Sequence, residues 1–415
     1  MNKSPEELYQ EREMRVCDAI ELKTPDRVPV LGMLGYIPAL WAGITIKEAM
    51  YDKDKCMDAW TRAMDHFQID MAENPFTIRF LGRTLDALDF QQLRWAGRGL
   101  GDNASYQFVE DEYMKEDEYD HFLFDPTDFI IRRYWPRVFK AFEPFAALPP
   151  PREIMSYYMG LTNFFFFSSP EMVKALDSLS KAAEGAKEMV TAAVQFVERM
   201  KGMGFPMQAA GMSQAPFDTI SDFMRGTKGG MLDMFRHKDK LLEAVEKMLP
   251  IMFELGMGTK RRGGKRVFIP LHKGLDGFMS PEHFKLFYWP TLKRLIEMLI
   301  AEGLNPVVLW EGDCTSRLEM IGDIPPGKAV YHFERTDIFK AKEIIGDRVC
   351  LRGNVPLSML CTDTPDDVKA YCRKLIDKVG KGGGFIMDAA AVVDGVKYEN
   401  LKAMIDFTKE YGRYS

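Results

Sequence analysis

The chain alternates amphipathic tracts with short apolar runs, and the alternation becomes regular in its second half. Residues 6–22 (EELYQEREMRVCDAIEL) carry apolar positions at helical spacing, and residues 46–67 do the same. Between them RVPVLGML (27–34) reads as a strand closing on Gly35. Residues 169–204 predict a long helix, with Ser169 as its cap and Pro170 in its first turn. From residue 266 onward each apolar run hands over to a helical tract: RVFIPLHKG, PVVLWEGD, KAVYHFERTD, RVCLRGNVP and GGGFIMDAA. Strand–helix units repeated in this way predict an α/β fold with a parallel sheet. An open doubly wound sheet and a closed barrel both fit. A polar or charged residue recurs at the C-terminal end of each strand, where barrel enzymes build their sites, and this favours a (β/α)8 TIM barrel. No linker or low-complexity segment divides the chain. One domain over residues 1–415 is expected, with an N-terminal helical extension. Residues 68–160, irregular and rich in aromatics, Asp and Pro, are expected to form an insertion over the barrel mouth.

Composition narrows the function classes. At 46% hydrophobic content, 415 residues are ample for a large core. The net charge is −6 and Lys and Arg form no long basic run, which argues against nucleic-acid binding. The six cysteines include no CxxC pair, and the N-terminal stretch has no apolar signal region. No apolar run reaches the length of a bilayer span. A cytoplasmic, reducing setting is expected, with a small molecule or a protein as partner. The 28 methionines read as adaptable core filling.

The strand ends carry the candidate chemistry: His272, Glu311, His332, Glu334, Asn354 and Asp388. In a barrel these converge. Two His and a carboxylate are a competent ligand set for Zn²⁺ with an open position. Two carboxylates near a His also support acid–base chemistry without metal. The remaining histidines, His66, His121, His237 and His283, fall in helical or loop patterns and read as structural or solvated. Cys314 reads as a small buried residue rather than a ligand. Residues 97–120 intermix Tyr106, Gln107, Phe108, Glu110 and Tyr113, as a substrate lid does. The GRGLG element there follows no strand and opens no helix, so it is not a phosphate loop.

The segment RGNVPLSMLCTDTPDDVKAYCRKLIDKVGKGGGFIMDAA resembles the uroporphyrinogen decarboxylase superfamily, as do LHKGLDGFMSPEHFKLFYWPTLKRLI and QFVEDEYMKEDEYD. The resemblance covers most of the chain and implies a (β/α)8 barrel. Its decarboxylases carry an Arg-rich motif after the first strand that grips substrate carboxylates. Here VLGMLGYIPALWAG (30–43) contains no Arg or Lys. Its thiol-directed methyltransferases bind zinc through His-x-Cys and a late Cys. Those positions read Trp310-Glu311-Gly312 and, near the last strand, Ala390 or Ala391. Glu311 followed by His332 is similar to the first methyltransferase of anaerobic O-demethylase systems. Such proteins move a methyl group from a methoxylated aromatic to Co(I) of a separate corrinoid protein. The resemblance thus implies zinc held by His272, Glu311 and His332, with Glu297 set aside because it lies inside a helical tract. It also implies cobalamin carried by a partner, since the chain has no DxHxxG pattern of its own. Glu311, His332 and Asp388 are the catalytic candidates. Trp310, Phe333, Phe278, Tyr106, Phe108 and Asn354 are the candidates for lining the substrate slot. A decarboxylase or lyase using Glu311 and Asp388 as acid and base is the alternative; a homodimer is left open.

Overall fold

The computed structural model describes residues 3–154, 158, 160–393 and 395–414. The chain opens with helix α1 (Pro5–Ile20). The Ser4 hydroxyl accepts the Glu7 N–H and the Glu7 carboxylate accepts the Ser4 N–H, so both orphan donors at the helix start are satisfied. A small three-stranded sheet follows in the order β2-β1-β3, built from β1 (Leu93–Ala96), β2 (Gly99–Leu100) and β3 (Gln107–Phe108). It lies within the expected insertion, whose other described elements are short helices, many with tight or wide turns, joined by loops. The helix expected over 169–204 runs Pro170–Gly202, capped by the Ser169 hydroxyl on the Met172 N–H.

The main sheet has six strands in sequence order: β4 (Gly211–Met212), β5 (Arg266–Leu271), β6 (Asn305–Trp310), β7 (Val330–Phe333), β8 (Cys350–Arg352) and β9 (Phe385–Ile386). Every pairing is parallel. Parallel pairing requires crossovers, and helices such as Trp289–Ala301 and Ile338–Ile345 supply them. Pairing continues past both edges. Val30 bridges Met387 and Ala72 bridges Met207, both in parallel, and the Asp70 N–H donates to the Val30 carbonyl.

The two faces of the sheet bury different material. Phe268, Val307, Val330, Cys350 and Ile386 pack with Val16, Ala19 and Ile20 of α1, near the starts of their strands. Val267, Ile269, Leu271, Val308, Trp310, Tyr331, Phe333 and Leu351 belong to the main core. Complete burial of such side chains contributes about 1.5–3 kcal/mol each. Because side chains alternate along a strand, the first set fixes which later residues share the face covered by α1. Those are Pro270, Leu309, His332 and Arg352, then His272, Glu311, Glu334 and Asn354.

Candidate functional site

Register aligns the polar residues into two rows. Leu271 pairs with Trp310 and Trp310 with Phe333. The ladder continues one residue on, with Glu311 N–H donating to Leu271 O and Glu334 N–H to Trp310 O. His272, Glu311 and Glu334 therefore stand side by side at the strand ends. Asn354 and Asp388 extend this upper row, since Val355 N–H donates to Asp388 O and Val355 bridges Ala389. His332 pairs with Leu309 and Arg352, which puts it in the row beneath.

The rows differ in how their charges are compensated. In the lower row His332 is fully buried and its Nε2 lies 2.8 Å from Ala389 O, while Nδ1 has no protein partner. Burial, then the neighbouring Arg352 charge, pushes its pKa down to about 4, so the ring is neutral near pH 7. Arg352 reaches up to the buried Asp388 with Nε at 2.7 Å and Nη2 at 2.6 Å, and also donates to Gln208 Oε1. Asp388 also accepts the Ala389 N–H, so its oxygens are taken.

The upper row is half-open and acid-rich. His272 Nδ1 lies 2.5 Å from Asp222 Oδ2, and His272 Nε2 lies 3.8 Å from Glu311 Oε1. Burial opposes charge on the ring, but the Asp222 hydrogen bond and the Asp218, Asp222 and Glu311 carboxylates outweigh it, and the pKa is pushed up to about 9. Burial raises the Glu311 carboxyl despite His272, and Glu334 and Asp222 raise it further.

Asp218 and Asp222 come from the segment after β4. Pro216 opens a helical turn (Pro216–Asp218) that continues as the wide-turn helix Thr219–Arg225. A spacing of four residues puts both acids on one helix face. Asp218 Oδ2 accepts the His272 N–H at 2.8 Å and the Tyr288 hydroxyl at 2.7 Å, and Oδ1 accepts the Lys273 N–H. It thereby fixes the end of β5. Among the described residues, Asp218, Asp222 and His272 form the one group of three or more His, Cys, Asp or Glu side chains whose ligand atoms all lie within 4.8 Å. The two acids were absent from the sequence reading; the signal for them was the pair of Asp four apart, opening a helix after an apolar run.

The other expected site residues separate. Trp310 and Phe333 fall on the opposite parity and lie wholly buried in the main core, with Tyr331 against each. That places them in packing rather than in the expected slot. His332 is one row below Glu311 rather than beside it. Phe278 has the Lys273 ammonium 5.2 Å from its ring centre. Phe108 packs edge-on against Phe223 at 5.8 Å, beside Asp222. Tyr106 is exposed, and Asn354 donates to Thr336 O with its Oδ1 unpartnered. Cys314 is buried against the Thr336 hydroxyl, and burial pushes its thiol up to about 12.

A family model for uroporphyrinogen decarboxylase matches residues 162–411, and the chain belongs to that family. Among curated relatives, the uroporphyrinogen decarboxylase of Chlorobium phaeovibrioides is 31% identical over 137 residues, 32% of this chain and 38% of its own length. That of Methylococcus capsulatus is 24% identical over 241 residues, 54% of this chain and 64% of its own. The chain thus matches little more than a third of the first of these and under two thirds of the second. A solved methyltransferase from Methanosarcina mazei superposes with a TM-score of 0.61 at 16% identity, covering 96% of this chain and 98% of that one, so the overall fold is shared. No helix among the described residues is long and apolar enough to cross a membrane.

Proposed function

We propose that the protein is a methyltransferase that moves a methyl group from a methyl ether, of the methoxylated aromatic class, to Co(I) of a separate corrinoid protein. The sheet is read as a closed (β/α)8 barrel. The parallel bridges Val30–Met387 and Ala72–Met207, with the Asp70–Val30 hydrogen bond between them, support that closure. The upper row is then the barrel mouth.

The observation that carries the reading is the pairing of His272 Nε2 with Glu311 Oε1 at 3.8 Å. Two donors each about 2.1 Å from one zinc ion at a tetrahedral angle stand roughly 3.4 Å apart. The pair is therefore spaced as ligands that share a cation. The His272 ring is also oriented for this, with Nδ1 held by a carboxylate and Nε2 facing the mouth. Asp388 and Asp218 are saturated by their own partners, which favours His272 and Glu311 as the holding residues and weighs against Asp388 as an acid or base. Glu334, in the same row, is the neighbour best placed to complete the set; His332 offers an unpartnered Nδ1 from below.

Zinc, when bound, supplies Lewis acidity to the ether oxygen, whose phenolate is a poor leaving group because phenols have a pKa near ~10. The chain's own residues do the rest. Glu311 and His272 would hold the cation, with the His272 ring oriented by Asp222, and Phe278 and Phe108, which pack against Lys273 and Phe223, offer apolar surface nearby. The methyl carbon leaves with no electrons of the C–O bond, the oxygen keeps the pair, and cobalt supplies the pair for the new bond. The mouth carries acids where a porphyrinogen decarboxylase needs cations, and residues 30–43 hold no Lys or Arg. The test is incubation with a Co(I) corrinoid protein and a panel of methoxyarenes. Growth of the methyl-cobalt absorbance with a matching phenol product is expected; release of CO₂ from a carboxylated substrate with no cobalt methylation would replace this reading with the decarboxylase one.

A further inference from the structure

The residues that hold Asp222 lead, contact by contact, out of the mouth and into the insertion. Lys273 follows His272, and its Nζ lies 3.4 Å from Asp222 Oδ1, an oxygen with no hydrogen-bond partner of its own. The same Nζ donates to Thr227 Oγ1 at 2.8 Å. Thr227 in turn donates from both its N–H and its hydroxyl to Glu110 Oε1, in the segment that follows β3. The helix bearing Asp222 is fastened to the insertion at its C-terminal end. Gln92 donates to Phe223 O, the Met114 N–H to Met224 O, and Arg225 Nη1 to Met114 O. At the turn between, Gly226 has φ +70°, and a Cβ there would sit 3.1 Å from Asp111 O. A side chain at that position would push the two backbones apart.

Resting on the reading above, we propose that Lys273 is a positioning residue, set by Thr227 and Glu110 of the insertion, that holds Asp222 and through it the His272 ring. The insertion then acts as the brace of the site, and its docking fixes where Nε2 points. The physical basis is the spacing of the groups. An ammonium shared between a carboxylate and a hydroxyl has two directions fixed, so the carboxylate it faces loses freedom as well. A ring nitrogen bonded to that carboxylate inherits the constraint, and such outer partners change metal affinity by about 10–100-fold.

Thr227 and Glu110 touch neither His272 nor Glu311, so they test the relay without altering the pair itself. Two readouts are taken on wild type, Thr227→Val, Thr227→Ser, Glu110→Gln and Lys273→Met. One is the Kd for Co²⁺ as a spectroscopic stand-in for zinc. The other is the downfield His272 Nδ1–H proton signal and its exchange rate with water, which needs no metal and no substrate. Thr227→Val and Glu110→Gln are expected to weaken Co²⁺ binding about tenfold and to speed Nδ1–H exchange, with Thr227→Ser restoring both and Lys273→Met showing the larger loss. A fall in Tm with unchanged Kd and unchanged exchange would make these contacts structural only and overturn the proposal. If the protein binds no Co²⁺, the metal reading fails, while the exchange rates still decide the relay.

Discussion

The two rows at the strand ends hold similar residue types and treat them in opposite ways. In the lower row His332 is neutral, and Arg352 reaches up to the buried Asp388 end of the upper row within 2.7 Å, while Gln208 takes a further guanidinium bond. In the upper row His272, Glu311 and Glu334 are partly exposed, and among the described residues no cation comes within hydrogen-bond reach of Glu311, His272 Nε2 standing 3.8 Å away. A buried ion pair with all its bonds made is part of the frame. In the upper row the acids have looser partners, with Lys273 3.4 Å from Asp222, Arg335 3.5 Å from Glu334 and His272 3.8 Å from Glu311, which is the kind of half-exposed, perturbed cluster that suits a cation. Residue type alone would not have separated the two.

The largest expected effect breaks the upper row. Glu311→Gln and His272→Ala should each lower methyl transfer by about 10³-fold or more and remove metal at stoichiometric loading, with the Tm within a few degrees of wild type. Elemental analysis and single-turnover kinetics check this. The mirror-image result belongs to the lower row. Arg352→Met strands the Asp388 charge in the core and should cost about 3–5 kcal/mol of stability, read from denaturant unfolding. If Arg352→Met left stability unchanged and removed metal, the division between the rows would be wrong.

Metal affinity then sharpens the membership of the site. Asp222→Asn should weaken zinc binding by about 10–100-fold, since it frees the His272 ring without removing a ligand. Glu334→Gln should weaken it more than His332→Phe does; the opposite order would move the third ligand to the lower row. The smallest effect is in pH. His272 titrates near 9 in the folded metal-free protein against about 6.5 in an unfolded chain. A raised pKa means the stabilisation from its carboxylates is fully present below pH ~6.5 and is lost as pH rises through about 9. The Tm of metal-free protein should fall between pH 7 and 9.5, and His272→Gln should flatten that slope.

Much of this arrangement was legible in the residues. The strands from 266 onward are apolar runs closed by a polar residue, and each appears where that pattern put it. The polar ends did assemble on one side of the sheet. What could not be read was depth. VYHFE places His332 and Glu334 on one face, but which of them stands beside Glu311 depends on the register of β7 against β6, a tertiary quantity. Trp310 and Phe333 misled for a related reason. Both faces of a parallel strand are buried, so an apolar run hides the alternation that separates site from core. Asp222 was missed because its helix has wide turns and is braced by an insertion with no sustained periodicity.

If Glu311 and His272 hold what draws charge from the departing oxygen, their help should scale with leaving-group acidity, which a substituent series measures. Single-turnover methylation of a Co(I) corrinoid protein is measured for wild type and Glu311→Gln across methoxyarenes whose phenols differ in acidity. Assistance made only in the transition state matters most where the leaving phenolate is least stable. A large penalty is expected with unactivated methoxybenzene, shrinking steadily toward a nitro-substituted one. A penalty of constant size across the series would mean that the row only positions substrate, and that Glu311 and His272 give the departing oxygen no help.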